Sequence, residues 1–92
     1  ESEGFYITVS DQQILAAIPQ LGSAGLFVEP AAASAYAGLV EALDTKLVDP
    51  ATPTLVLATG SGLKDIKAVM QAVHPAPIIE PRLDKLKEAL GV

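Results

Sequence analysis

The sequence predicts an α/β fold with parallel strands. Short β-prone runs alternate with helical segments, no hairpin turn joins two such runs, and the most apolar run, TLVLAT at residues 54–59, has almost no polar alternation. A strand of that kind is covered on both faces, as in parallel sheets, and strand–helix alternation is the pattern of α/β domains.

The elements follow in order. GFYITVS is a β-prone run rich in aromatic and β-branched residues. Ser10 then caps a helix, with Gln13 as its capping-box partner, and Ile14, Leu15 and Ile18 fall at helical spacing. Pro19 removes a backbone donor and predicts a kink or an end near Ile18, with Gly22 and Gly25 at the exit. LFVEP is extended, because Pro30 holds Glu29 out of the α region. Pro30 also suits the first turn of the helix AAASAYAGLVEAL. That helix is made mostly of small residues, and Gly38 inside it costs about 1 kcal/mol relative to alanine, which predicts close packing against another backbone. DTKLVDPATP is a polar connection. After TLVLAT, a helix is expected from about Lys64 to Val73, with Asp65 in its first turn, where negative charge suits the helix dipole. The tail over 73–92 is extended and proline-rich, and ends in an amphipathic helix with Leu83, Leu86 and Leu90 on one stripe and Gly91 as its stop.

Composition narrows the function classes. A chain of 92 residues supports one small domain. Half of it is hydrophobic, whereas a domain of this size buries only about 60–65% of its unfolded surface. Its apolar content therefore reads as part of a larger protein or one copy in an oligomer. The net charge is -5, and the six Lys and Arg residues form no block, which argues against nucleic acid and against an anionic membrane surface. No apolar run reaches the ~18 residues of a membrane-spanning helix, and ESEGFYITVS lacks the pattern of a signal peptide. Cysteine is absent and there is one histidine, so a zinc site is not expected; a cytoplasmic setting is.

The chemistry-bearing stretch is ATGSGLKD. It is not a phosphate-binding P-loop, because Leu63 and Asp65 break G-x-x-x-x-G-K-[ST]. It is not a dinucleotide fingerprint either, since Asp65 stands where the third glycine belongs and would face a pyrophosphate. Thr59 ends the most buried predicted strand, and ligands of open α/β sheets bind beyond the carboxyl ends of strands. The residues alone leave two roles open for it: a ligand contact through its hydroxyl, or an ordinary strand end. Glu29 is equally open, as a helix N-cap or lysine partner on one side and an active-site group on the other. Lys64 and Asp65 read as a local ion pair or cap, His74 as the end of a helix, and Tyr36 as a packing residue.

Taken together, ITVSDQQILAAI, LFVEPAAASAYAGLVEAL and ATGSGLKD resemble, in this order and spacing, the C-terminal part of threonine synthase, a fold-type-II pyridoxal-phosphate enzyme family. The resemblance spans residues 5–73 and extends into the tail. Serine and threonine dehydratases share the Glu-Pro and small-residue segment but depart from GLKD. The resemblance implies that residues 1–92 are one C-terminal segment of a three-layer, parallel-sheet large domain. It implies a cytoplasmic lyase that converts O-phospho-L-homoserine and water to L-threonine and phosphate, with pyridoxal 5'-phosphate as cofactor. Thr59 would hydrogen-bond the cofactor's pyridine nitrogen. Gly60 would let the backbone pass the ring, and Glu29 would lie on the cofactor's other edge. Ser61 departs from the His or Asn of the family pattern.

The family's Schiff-base lysine, in an FKDR-type stretch, has no counterpart here: Lys46, Lys64, Lys67, Lys85 and Lys87 all lie in other contexts. The resemblance thus implies a segment that is inactive alone and is completed by the remainder of the enzyme, with a second copy in a homodimer. The rival reading is a non-catalytic α/β assembly module.

Overall fold

The computed structural model describes residues 2–92. Helix α1 spans Asp11–Ser23, α2 Pro30–Asp44, α3 Ile66–Ala72 and α4 Leu83–Leu90, with a 3-10 turn at Gly62–Lys64 before α3. Among the described residues there is no strand ladder, only one antiparallel bridge between Val28 and Ser61. The expected α/β architecture with a parallel sheet is therefore corrected: the described chain is helical.

The reason is pairing. β-propensity measures fit to a pleated, half-buried surface and not a backbone preference. Residues 5–9 and 53–59 have no neighbouring strand among the described residues, so Ile7, Val9 and Val56 are only half-buried and most of their other apolar side chains stay exposed. Leu55 and Leu57 are 89% and 69% exposed, the reverse of a strand covered on both faces. These two segments instead flank α2, where Phe5, Ile7, Gly38, Leu39, Leu55 and Leu57 line an open groove of about 530 Å³.

Helix α1 starts where the sequence predicts. The Gln13 N–H donates to Ser10 Oγ at 3.1 Å, and the Ser10 N–H donates to Gln13 Oε1 at 2.7 Å, the reciprocal bonds of a capping box. Gln13 also ties the two long helices together, its Nε2 donating to Glu41 Oε2 on α2 at 2.7 Å. The expected end near Ile18 does not occur: α1 runs through Pro19 to Ser23. Ile18 and Leu21, on either side of the proline, are both buried in the core, and that packing carries the helix past the missing donor. The exit is at Gly25, whose φ is +90°. There the Gly25 N–H donates to the Gly22 carbonyl at 2.9 Å and the Leu26 N–H to the Leu21 carbonyl at 3.0 Å, a Schellman closure.

Pro30 occupies the first position of α2, as expected. Ala32, Ala33, Ala37, Gly38 and Ala42 are its buried residues, and the small side chains of Ala32, Ala33 and Ala37 let α1 and Val28 pack closely over them. A Cβ on Gly38 would stand 3.4 Å from Ile7 Cγ2, so what approaches this glycine is a side chain from the N-terminal segment and not the expected backbone. The core is completed by Ala17, Ile18 and Leu21 of α1 and Val69 of α3. No polar or charged residue is buried among the described residues. Tyr36 packs at the edge of this core.

Helix α3 begins two residues later than expected. Asp65 is its N-cap and not a first-turn residue, accepting from the Ala68 N–H at 3.1 Å. The tail helix α4 stops at Gly91, φ +71°, as the sequence predicts. Its stripe of Leu83, Leu86 and Leu90 is exposed, and no residue from 73 to 92 is buried. The radius of gyration is 17.1 Å, against about 12 Å for a compact chain of this length. No helix of the described residues is long and apolar enough to cross a membrane.

The end of α2 repeats the Schellman closure with a poorer residue. Lys46 holds φ +61° while its N–H and that of Leu47 return to the Leu43 and Ala42 carbonyls at 3.1 and 2.8 Å. A side chain in that conformation costs roughly 1 kcal/mol. Lys46→Gly is expected to raise the unfolding free energy by about 1 kcal/mol, read as a higher urea midpoint by circular dichroism. Ser10→Ala is expected to lower it by about 1 kcal/mol, on the same measurement.

Candidate functional site

Two segments distant in sequence meet at the bridge, Phe27-Val28-Glu29 and Gly60-Ser61-Gly62. The Glu29 N–H donates to the Gly60 carbonyl at 3.1 Å, and the Gly62 N–H donates to the Phe27 carbonyl at 3.1 Å. Period-two alternation puts Val28 on one face, buried in the core, and Phe27 and Glu29 on the other. The glycines lie opposite those two side chains. A Cβ on Gly62 would stand 2.5–2.7 Å from Cε2, Cζ and Cδ2 of the Phe27 ring. A Cβ on Gly60 would overlap Glu29 Oε1 and Cδ and stand 2.7 Å from its Cγ. Each glycine is thus required by a side chain of this same chain.

Glu29 sits at the N-cap position of α2 without a side-chain capping bond. Its side chain is 20% exposed, and Lys64 Nζ, itself 65% exposed, lies 3.9 Å from Oε1. A pair this long and this open contributes at most about 1 kcal/mol, so packing on Gly60 is what seats the carboxylate. Lys64 therefore pairs with Glu29 and not with Asp65, which is occupied as the α3 cap. Ser61 caps the 3-10 turn, its Oγ accepting from the Leu63 N–H at 3.2 Å. The site residues expected from the sequence are consequently brought together: Thr59 adjoins Gly60, and Glu29 lies on Gly60.

Thr59 itself is exposed. Its hydroxyl forms no hydrogen bond among the described residues, unlike Thr45 and Thr54, which donate to the Glu41 and Thr52 carbonyls at 2.8 and 3.1 Å. An exposed hydroxyl beside a turn pinned by two backbone bonds is open to water or to a ligand. The groove nearest this turn, about 270 Å³, runs between the starts of α1, α2 and α3 and is lined by Asp11, Ile14, Leu15, Pro30, Asp65 and Ala68 among others; Thr59 is not part of its lining. No three histidine, cysteine or acidic residues stand close enough to hold a metal ion among the described residues. His74 is exposed beyond the end of α3.

The sequence reading did not anticipate Phe27. Its signal was present all the same: large residues two apart, Phe27 and Glu29, complement glycines two apart, Gly60 and Gly62, as an antiparallel bridge requires.

The chain is also similar in sequence to known proteins. The chain is 38% identical over 82 residues to a threonine synthase of Mycobacterium tuberculosis, covering 85% of this chain and 23% of that protein. It is 37% identical over 90 residues to a threonine synthase of Methanocaldococcus jannaschii, covering 97% of this chain and 22% of the relative. A threonine synthase of Methanosarcina acetivorans is 32% identical over 91 residues, 98% of this chain and 22% of the relative. No family model matches the chain. The chain spans less than a quarter of the length of these curated relatives, 22–23%. All three bear the name of an enzyme that makes threonine, so the similarity is to a biosynthetic enzyme class. Within it, the chain is similar to a segment of threonine synthases.

The close approach at Gly62 is testable against a glycine with open surroundings. Gly62→Ala is expected to destabilise the chain by about 1–3 kcal/mol, because the ring of Phe27 must move. Gly22→Ala meets nothing within 4 Å in the last turn of α1 and is expected to stabilise by up to about 1 kcal/mol. Urea midpoints of the two variants, moving in opposite directions, check both.

Proposed function

We propose that this chain is the C-terminal segment of a threonine synthase, a pyridoxal-phosphate-dependent lyase that forms L-threonine and phosphate from O-phospho-L-homoserine and water. The names of its relatives, threonine synthase, support the reading of a threonine-forming enzyme. The observation in this chain that supports it best is the free Thr59 hydroxyl on a turn pinned at Gly60. The residues fit one edge of the cofactor: Thr59 supplies a donor for the pyridine nitrogen, and Gly60 supplies a backbone held in place by Glu29. When bound, pyridoxal 5'-phosphate supplies an electron sink for carbanions. A threonine hydroxyl donates to a neutral ring nitrogen but does not readily protonate it, so Thr59 would hold the ring in its less electron-withdrawing form.

The anchoring lysine would come from the remainder of the enzyme, and the segment alone would be inactive. Its partners would be that remainder, a second copy in a homodimer and a small amino-acid substrate, in the cytoplasm. Exposed Leu55, Leu57, Leu83, Leu86 and Leu90 supply apolar surface for such contacts.

In the whole protein, Thr59→Val keeps the side-chain shape and removes the donor. It is expected to weaken pyridoxal-phosphate binding by about tenfold and to shift the cofactor's absorbance, while Thr59→Ser restores both. Unchanged binding in Thr59→Val would contradict the assignment. Incubation with O-phosphohomoserine should yield threonine and phosphate, whereas release of a 2-oxo acid and ammonia from threonine would mark a dehydratase.

A further inference from the structure

We propose that Glu29 is a positioning residue, which aims Thr59 by filling the face of Gly60 and does so by its bulk, not by its charge. This deepens the cofactor reading above and rests on it for the role of Thr59; the packing of Glu29 on Gly60 stands apart from that reading.

The inference comes from what holds Thr59 and what does not. Its side chain is exposed and has no hydrogen-bond partner among the described residues, so the fold fixes only where its Cα–Cβ bond points, through the backbone. The residue that follows it is held twice by Glu29. The Gly60 carbonyl accepts from the Glu29 N–H at 3.1 Å, and the Gly60 Cα is covered by the Glu29 side chain, whose Cγ, Cδ and Oε1 fill the space a Cβ would take. Pro30 fixes the other end of the contact: it starts α2 immediately after Glu29 and holds Glu29 extended, φ -75° and ψ 163°. The core-facing neighbour Val28 is 5% exposed and anchors the strand beneath. Glu29 is therefore a stiff element on which the Thr59–Gly60 turn rests.

Charge contributes little to this seat. The Lys64 ammonium stands 3.9 Å away and is largely in water, and no side-chain bond from Glu29 to the start of α2 forms. The part of Glu29 against Gly60 includes its methylene, so an uncharged side chain of the same size fills the seat equally well.

The test uses the whole protein carrying this segment and reads two quantities: amide hydrogen exchange at Gly62, whose N–H closes the bridge, and the dissociation constant of pyridoxal 5'-phosphate. Glu29→Gln is expected to leave Gly62 exchange within about twofold of wild type. Glu29→Ala empties the seat and is expected to speed Gly62 exchange by about tenfold or more and to weaken cofactor binding by a similar factor. Gly60→Ala evicts the Glu29 side chain and is expected to do the same. The double variant Glu29→Ala with Gly60→Ala removes the overlap, because the three nearest atoms to a Cβ on Gly60 all belong to Glu29. It is expected to exchange more slowly than Gly60→Ala alone, a coupling that two unrelated structural lesions would not show. Glu29→Gln that speeds Gly62 exchange as much as Glu29→Ala would overturn the inference in favour of charge, and so would additive effects in the double variant. A wild-type protein that binds no pyridoxal phosphate would reject the cofactor reading, while the exchange pattern would still decide whether Glu29 positions the turn.

Discussion

The structure depends on one small clasp. Two backbone hydrogen bonds, Glu29 to Gly60 and Gly62 to Phe27, fasten the loop after residue 59 to the start of α2. The candidate site residues Thr59, Gly60 and Glu29 lie on or beside that fastening. Val28 drives it from below by burial against Ala32, Ala33 and Ala37, and Phe27 and Glu29 close it from above over the two glycines. Two hydrogen bonds alone contribute only about 1 kcal/mol each, so the side chains packed on either face give the contact its definition. Without them the Thr59–Gly60 turn would be an unsupported loop between a solvent-exposed segment and a 3-10 turn.

The helices serve this clasp more than they serve a large core. α1 and α2 meet over alanines, which allows close approach but buries little apolar area per residue. α3 adds Val69, and Asp65 caps it immediately after the 3-10 turn, so the loop is held at both ends. Gln13 joins the cap of α1 to Glu41 of α2 and fixes the two long helices in register. Phe5, Tyr6, Leu55 and Leu57 in the segments flanking α2, and Leu83, Leu86 and Leu90 along the tail helix, stay exposed. A chain with that distribution presents surfaces more than it encloses them.

Local physics was legible in the sequence where a signal is self-contained. The Ser10–Gln13 capping box, Pro30 at the start of α2 and Gly91 at the end of α4 each rest on one or two residues and their own backbone, and each stands as read. Signals that depend on distant partners were less legible. Residues 54–59 carry the composition of a buried strand, yet a strand exists only through its neighbours, and none pairs with them among the described residues. Pro19 is a helix breaker by local rule, and the packing of Ile18 and Leu21 overrides it. At the candidate site, the family resemblance grouped Thr59, Gly60 and Glu29, and they are neighbours in space. It did not disclose that the room left by the glycines is taken by Phe27 and Glu29, because that complementarity becomes visible only when the two segments are laid antiparallel.

The central claim is that the clasp aims the Thr59 hydroxyl at a heterocyclic nitrogen while Glu29 stays on Gly60. A crystal structure of the whole protein grown with pyridoxal 5'-phosphate tests it most directly. The account predicts Thr59 Oγ1 within hydrogen-bond distance of the pyridine nitrogen, about 2.8 Å, with the Glu29 N–H still on the Gly60 carbonyl. A cofactor bound with the Glu29 carboxylate on its ring and the Thr59 hydroxyl turned away from it would contradict the account.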